Sequence, residues 1–212
     1  MYYDDKSTEM QPGGMSFEIE KKAHLDDPSA AVRKLGKIGR FAGRFTKEDR
    51  YYLLRPGRGG PIDMRKDPIL RIRIENGRCV LCAKRRSFRG KTEINEEAEI
   101  PAGGPRETIR LFERTLGLAP FVRKRKRTTL FIVRGIHVEV NRVDRLGWFL
   151  EAEIRTRRLG PREEKNALSR IDAVFDRLGV RDEDVEPRYY IEMLLALPRG
   201  RSRRRSRVQG RL

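Results

Sequence analysis

Between residues 16 and 156 apolar and charged positions alternate again and again, the period of strands that turn one face to a core. In FEIEKKA (17–23) Phe17, Ile19, Lys21 and Ala23 fall on one face and Glu18, Glu20 and Lys22 on the other. LRIRI (70–74) sets Leu70, Ile72 and Ile74 against Arg71 and Arg73. EAEI (97–100) sets Ala98 and Ile100 against Glu97 and Glu99, and FLEAEI (149–154) sets Leu150, Ala152 and Ile154 against Glu151 and Glu153. VLCAKR (80–85) is less clean, because Val80, Cys82 and Lys84 share a face. FAGRFTKEDRYYLL (41–54) suggests two short strands, and RPGRGGPIDMRKDP (55–68) a loop by its Gly and Pro content. Asn76-Gly77 is a two-residue hairpin signal. Further strands are predicted at 92–100, 121–135 and 136–156, the last stretch turning near Asp144 to Gly147. Helical spacing takes over after Asp26, Asp27 and Pro28, with Ala31, Val32 and Leu35 apolar and a stop near Gly36. It returns at 107–117, at 161–178 (Ala167, Leu168, Ile171, Val174, Phe175, Leu178) and at 188–197. The expected fold is α+β: a closed or nearly closed antiparallel eight-stranded β-barrel with helices packed outside, since closure removes exposed sheet edges.

Composition narrows the picture. The 212 residues suit one domain with a full core, at 37% hydrophobic content. No apolar run approaches the roughly 18 residues a membrane span needs, and the polar start lacks the apolar stretch expected of a signal peptide. A cytoplasmic protein without a membrane span is expected. Cys79 and Cys82, three apart on a strand, point to opposite faces and do not suggest a disulfide; they read as two small core or surface thiols. Zinc-type ligand spacing is absent. Net charge is +18; the segment from Arg199 to Leu212 holds seven Arg and no acid, and without it the charge is still +11. The organisation expected is a flexible leader (1–15), a barrel domain (16–197) and an Arg-rich disordered tail (198–212). Nucleic acid enters as a partner only through that tail. The basic folded part points to a polyanion or a small, highly charged anion.

The charged faces carry the candidate chemistry. If helices cover the apolar faces, the charged faces point into the lumen, where charges are costly unless they hold partners. Glu18 and Glu20 repel each other unless a divalent cation sits between them. Acids gather on some strands and bases on others. VRKRKR (122–127) offers Lys124, Arg125, Lys126 and Arg127, its inward register open by one position.

These faces, in this order, resemble the CYTH superfamily of triphosphate tunnel barrels. Its Glu-x-Glu-x-Lys opening is matched by Glu18, Glu20 and Lys22. LRIR (70–73) resembles the family strand whose arginines grip phosphates, the strand ending at Lys84 its following basic strand, and Glu97 with Glu99 another acidic pair. VRKRKR resembles its later Lys-x-Arg strand, and VNRVDRLGWFLEAE (140–153) the stretch that ends in Glu-x-Glu. The match runs over about 16–195. FEIEKKA, EDRYYL (48–53), RVDRLGWFLEAE (142–153) and RYYIEMLL (188–195) look closest to the class IV adenylyl cyclase-like branch. Asn141 departs from the family's usual Asp; it keeps a carbonyl oxygen but brings no charge.

The resemblance implies a metal-dependent enzyme acting on a nucleoside or other triphosphate. Glu18, Glu20 and Glu153 would bind Mg²⁺ or Mn²⁺, with Glu151 and Glu99 as further candidates. Lys22, Arg71, Arg73, Lys84, Lys124 and Arg125 or Arg127 would bind phosphates; Glu18, Glu20, Lys22 and Glu153 would form the catalytic set. The expected reaction is ATP to cyclic AMP and pyrophosphate. Hydrolysis of inorganic or thiamine triphosphate is an alternative, and a non-catalytic polyphosphate or nucleic-acid binding module another. A homodimer is compatible with each.

Overall fold

The alternating segments form eight antiparallel strands in the computed structural model, which describes residues 15–54, 67 and 69–198. These are β1 (Met15–His24), β2 (Arg40–Leu53), β3 (Ile69–Glu75), β4 (Arg78–Arg89), β5 (Thr92–Ala102), β6 (Val122–Val133), β7 (Ile136–Val143) and β8 (Gly147–Thr156). They close into a barrel in the order β1-β5-β4-β3-β2-β6-β7-β8, with β8 returning to β1. Helices α1 (Pro28–Ile38), α2 (Pro105–Arg110), α3 (Pro161–Leu178) and α4 (Tyr190–Ala196), with a short 3-10 turn over Asp182–Asp184, complete the elements of the described residues, α2 running on into a π-helical turn over Leu111–Thr115. None of these helices is long and apolar enough to cross a membrane. The expected flexible leader and Arg-rich tail lie outside the described residues, save Met15 and Pro198, as does the 55–68 loop save Asp67.

The barrel is inverted relative to a packed sandwich: its main apolar core lies outside the wall. Ile19, Phe131, Val138, Val140 and Leu150 leave the outer faces of β1 and β6–β8. They pack on Leu35 of α1 and Ile171, Val174, Phe175 and Leu178 of α3. Leu35 is fully buried, and its truncation to Ala would cost about 2–5 kcal/mol. Asp27 caps α1 by accepting a hydrogen bond from Ala30 N at 2.8 Å, with Pro28 in the first turn where no amide donor is needed. Gly39 ends that helix so close to β6 that a Cβ would lie 2.7 Å from Val133 Cγ2 and 2.9 Å from the Ile132 carbonyl oxygen. The β3–β4 hairpin turns through Asn76 (φ 50°) and Gly77 (φ 76°), as its Asn-Gly pair demands. Trp148 lies on the outer side, partly exposed.

One element differs from expectation. The 41–54 segment forms, up to Leu53, a single 14-residue strand with Arg40 rather than two short ones. The register shifts between Phe41 and Gly43, where Gly43 adopts φ 148°. The glycine absorbs an irregularity that would otherwise break the strand, so β2 keeps pairing with β6 from Arg40 to Tyr51.

Candidate active site in the barrel lumen

Strand parity alone carries the charged faces inward. β1 brings Glu18, Glu20 and Lys22 to the lumen wall, β3 brings Arg71 and Arg73, β4 Lys84, β6 Lys124 and β8 Glu151 and Glu153. Because β1 lies between β5 and β8, Glu20 stands opposite Glu153 on one side and Glu93 on the other. One carboxylate oxygen from each of Glu18, Glu20 and Glu153 lies within 4.8 Å of the others.

The three acids are held differently. Glu18 is 1% exposed; it accepts from Lys84 Nζ and is ion-paired with Arg155, whose Nη2 lies 2.8 Å away. Burial works to raise its pKa, but the Lys84 and Arg155 charges outweigh that and hold it well below the usual carboxylate range. Glu153 accepts from Arg155 Nε. Glu20 makes no ion pair among the described residues; burial, then the nearby charges of Glu151 and Glu93, push its pKa well above the ordinary value. An acid that resists ionisation among other acids gains most from a cation brought to it. The neighbouring Glu151 accepts from Lys126 at 2.6 Å through Oε2, while its Oε1 is buried and without a hydrogen-bond partner. Hard oxygen donors, an unpaired Glu20 and an orphan carboxylate oxygen fit a divalent cation of the Mg²⁺ or Mn²⁺ type.

The cationic wall faces these acids. Arg73 donates to Asp49 through Nε (2.8 Å) and Nη2 (3.1 Å), and Lys124 Nζ lies 3.0 Å from the same carboxylate. The Tyr51 hydroxyl donates to Asp49 at 3.1 Å. Burial opposes ionisation of Asp49, but Arg73 and Lys124 hold its pKa well below normal. Arg71 Nη2 bridges Glu97 (2.9 Å) and Glu99 (3.0 Å). Lys126 donates to Glu139 at 2.7 Å, and Lys47 donates to the same carboxylate at 2.9 Å. Most of the lumen cations are thus held by a carboxylate.

One end of the lumen is covered by α4. Tyr51, Ile69, Val122, Tyr189, Ile191 and Leu194 form an apolar cluster there. The Tyr190 ring sits 5.2 Å from Lys22 Nζ and 5.0 Å from Lys124 Nζ. At the opposite end Phe45, Asn76, Arg78, Leu130 and His137 rim a second cavity that also touches Arg73, Glu153 and Arg155.

Three expected site residues are placed elsewhere. Arg125 and Arg127 point out of the barrel, 55% and 53% exposed, against Glu48 and Asp144. Parity assigns the even positions Lys124 and Lys126 to the lumen because Phe131 and Val133 must face the outer core. Glu99 faces inward, but its carboxylate groups with Cys82 and Glu97 and pairs with Arg71, apart from the Glu18, Glu20 and Glu153 cluster. Alternation fixes a residue's face, not its height along the barrel. The two thiols are free: Cys79 packs outside with Tyr52 and Ile72, and Cys82 donates to Glu97 at 2.6 Å. Burial pushes the Cys82 thiol up to about 12.

Asp49, Lys47, Glu139, Arg155 and Tyr190 were not singled out by sequence. Lys47-x-Asp49-x-Tyr51 carries the same alternation as β1, and Arg155 continues the inward series of Glu151 and Glu153. Tyr190 has no such signal, since it enters from a helix. Asn141 is fully buried; its Oδ1 accepts from Thr128 at 2.6 Å and its Nδ2 donates to Glu139 at 3.1 Å.

Comparison with known proteins agrees with this geometry. The chain is 25% identical over 179 residues to the Methanocaldococcus jannaschii protein MJ0240, whose name carries adenylate cyclase as a provisional activity; 84% of this chain and 98% of the relative are covered. The structure of the PH1012 protein from Pyrococcus horikoshii matches with a TM-score of 0.67 at 29% identity, over 82% of this chain and 98% of that one. HpAC1 from Hippeastrum, an adenylyl cyclase candidate described as having a dominant triphosphatase activity, shares the fold alone. Its TM-score is 0.55 at 18% identity, over 84% of this chain and 94% of that one. The CYTH domain model matches residues 16–190, and the chain belongs to the CYTH domain family.

Proposed function

We propose that this chain is a metal-dependent enzyme acting on a triphosphate, with conversion of ATP to cyclic AMP and pyrophosphate as its leading reaction. The observation that carries the reading is the convergence in one lumen of the Glu18, Glu20 and Glu153 cluster with the facing row of Arg71, Arg73, Lys84 and Lys124. The name of the M. jannaschii relative points the same way.

Glu18, Glu20 and Glu153 would hold Mg²⁺ or Mn²⁺, with Glu151 beside them. A bound divalent cation supplies charge stabilisation at phosphorus and a fixed point for the phosphate chain. Lys22, Arg71, Arg73, Lys84 and Lys124 neutralise the phosphates and align them; Lys126, inward where Arg125 and Arg127 are not, joins that set. In cyclisation the ribose 3′-hydroxyl attacks the α-phosphorus and gives up its proton to solvent, the bond to the bridging oxygen breaks, and pyrophosphate leaves with the electron pair of that bond. Cations fixed around both ends of that transfer favour the transition state over the ground state. The aromatic surface for a base lies at the α4 end, where Tyr51, Tyr189 and Tyr190 line the lumen.

A second reading, hydrolysis of inorganic or thiamine triphosphate, is favoured by the lining itself. Between its two ends the contacts on offer are charged, so a bare phosphate chain finds its partners without any organic group. The test is product identification by ³¹P NMR and nucleotide chromatography after incubation with Mn²⁺ and either ATP or tripolyphosphate. Cyclic AMP with pyrophosphate supports the leading reading. Orthophosphate from tripolyphosphate supports the second. Tight binding of both without turnover contradicts an enzyme.

A further inference from the structure

Both oxygens of Glu18 are already engaged, Oε2 by Lys84 and Oε1 by Arg155 at 2.8 Å. The same Arg155 side chain reaches Glu153 through Nε. One guanidinium therefore bridges two of the three acids whose oxygens cluster within 4.8 Å. A cation bound by these carboxylates would sit about 2.0–2.6 Å from their oxygens, and a guanidinium held against two of the same carboxylates would meet its charge repulsion. That repulsion favours displacement of one of the bound cations. Lys84 is 12% exposed and paired also with Glu97, whereas Arg155 is 35% exposed and borders the cavity at the end away from α4. Arg155 is the cheaper of the two to move.

We propose that Arg155 is the internal counter-ion of the acid cluster, holding Glu18 and Glu153 until a metal ion displaces it, and that the released guanidinium then binds the phosphate chain. The inference rests on the reading of Glu18, Glu20 and Glu153 as a metal site. It gives the lumen a fixed order. Without metal, Arg155 neutralises the acids and is unavailable to phosphate. With metal, one positive charge is freed beside the cation that displaced it, so metal and polyphosphate favour each other's binding beyond their direct contact.

The test is Mn²⁺ binding, followed by electron paramagnetic resonance, to wild type, Arg155→Gln, Arg155→Lys and Arg86→Gln. Arg86 lines the same lumen, makes no ion pair with Glu18 or Glu153 among the described residues, and reports the general effect of losing a lumen cation. Without phosphate, Arg155→Gln is expected to bind Mn²⁺ about tenfold more tightly than wild type, from loss of a charge-assisted competitor. Arg155→Lys, which cannot bridge two acids with a planar fork, should fall between. With Mg²⁺ present, Arg155→Gln should bind tripolyphosphate about tenfold more weakly. In wild type, the ¹⁵Nε resonance of Arg155 should shift on Mg²⁺ addition, a readout independent of any variant's folding. Unchanged or weaker Mn²⁺ binding in Arg155→Gln, an equal gain in Arg86→Gln, or an unmoved ¹⁵Nε resonance under saturating Mg²⁺ would overturn the displacement. Failure of the underlying site reading looks different: wild-type Mn²⁺ binding would be undetectable, or identical in Glu20→Ala.

Discussion

The Arg73 guanidinium grips the Asp49 carboxylate at two points, Nε to Oδ1 at 2.8 Å and Nη2 to Oδ2 at 3.1 Å. Asp49 comes from β2 and Arg73 from the facing position on β3. Lys124 of β6 meets the same carboxylate, so one buried acid fixes cations from both strands that flank its own.

Asp49→Asn should therefore destabilise the protein by about 3–5 kcal/mol, the usual result of leaving buried cations without their anion. Tripolyphosphate should raise the melting temperature of the variant more than that of wild type, because phosphate can take the vacated place. Equal stabilisation of both would contradict the assignment of Arg73 and Lys124 to phosphate.

The metal-free lumen should be more stable without the Glu20 charge. Glu20 has a raised pKa in the fold, by burial first and by Glu151 and Glu93 next. A raised carboxyl means the folded state binds its proton more tightly than the unfolded chain. Stability is then lost as pH rises from the unfolded value of about 4.3 toward the folded one, and the loss is complete above it. Glu18 and Asp49 act in the opposite sense: their lowered pKa values contribute stability that is lost as pH falls through them. Glu20→Gln should melt about 2–4 °C above wild type at pH 8, the gap closing as pH falls to about 4. A variant less stable than wild type at pH 8 would contradict this.

Phosphate binding should separate the two faces of β6. Lys124→Gln should weaken tripolyphosphate binding about tenfold or more, the loss of one charge-assisted contact. The double change Arg125→Gln with Arg127→Gln should stay within about twofold, since exposed pairs contribute little. Calorimetric titration reads both, and the reverse ranking would mean that the other register faces the lumen.

The dense basic run explains why this register was open in the sequence. Every position from Arg123 to Arg127 is cationic, so alternation has no contrast there, and both Leu130–Ile132 and Phe131–Val133 downstream are apolar. By contrast β3 and β8 set acids or bases against apolar residues in alternation, and β1 does so apart from Lys21, so their inward faces are legible in the sequence. Glu99 was legible as inward but not by height, because its distance from Glu18 depends on strand stagger around a closed barrel. Arg155 and Asp49 were visible only as continuations of a period. Tyr190 depends on where the last helix docks, which no local pattern encodes.

Asn141 should resist conversion to Asp. Its Nδ2 donates to Glu139, which Lys126 and Lys47 keep ionised despite its burial. Asn141→Asp would set an anion against an anion and is expected to cost about 1–3 kcal/mol at pH 8, less at pH 5 as the new carboxyl takes a proton. Unchanged stability at pH 8 in a denaturant titration would contradict the polarity assigned to this contact.

On this reading one lumen holds both the metal and the phosphate chain. Anomalous diffraction from a crystal soaked with Mn²⁺ and a non-hydrolysable triphosphate tests it most directly. The predicted result is a manganese peak among Glu18, Glu20 and Glu153, with the phosphates lying along Arg71, Arg73, Lys84 and Lys124. A manganese peak away from those three carboxylates, or phosphates bound outside the barrel, would contradict it.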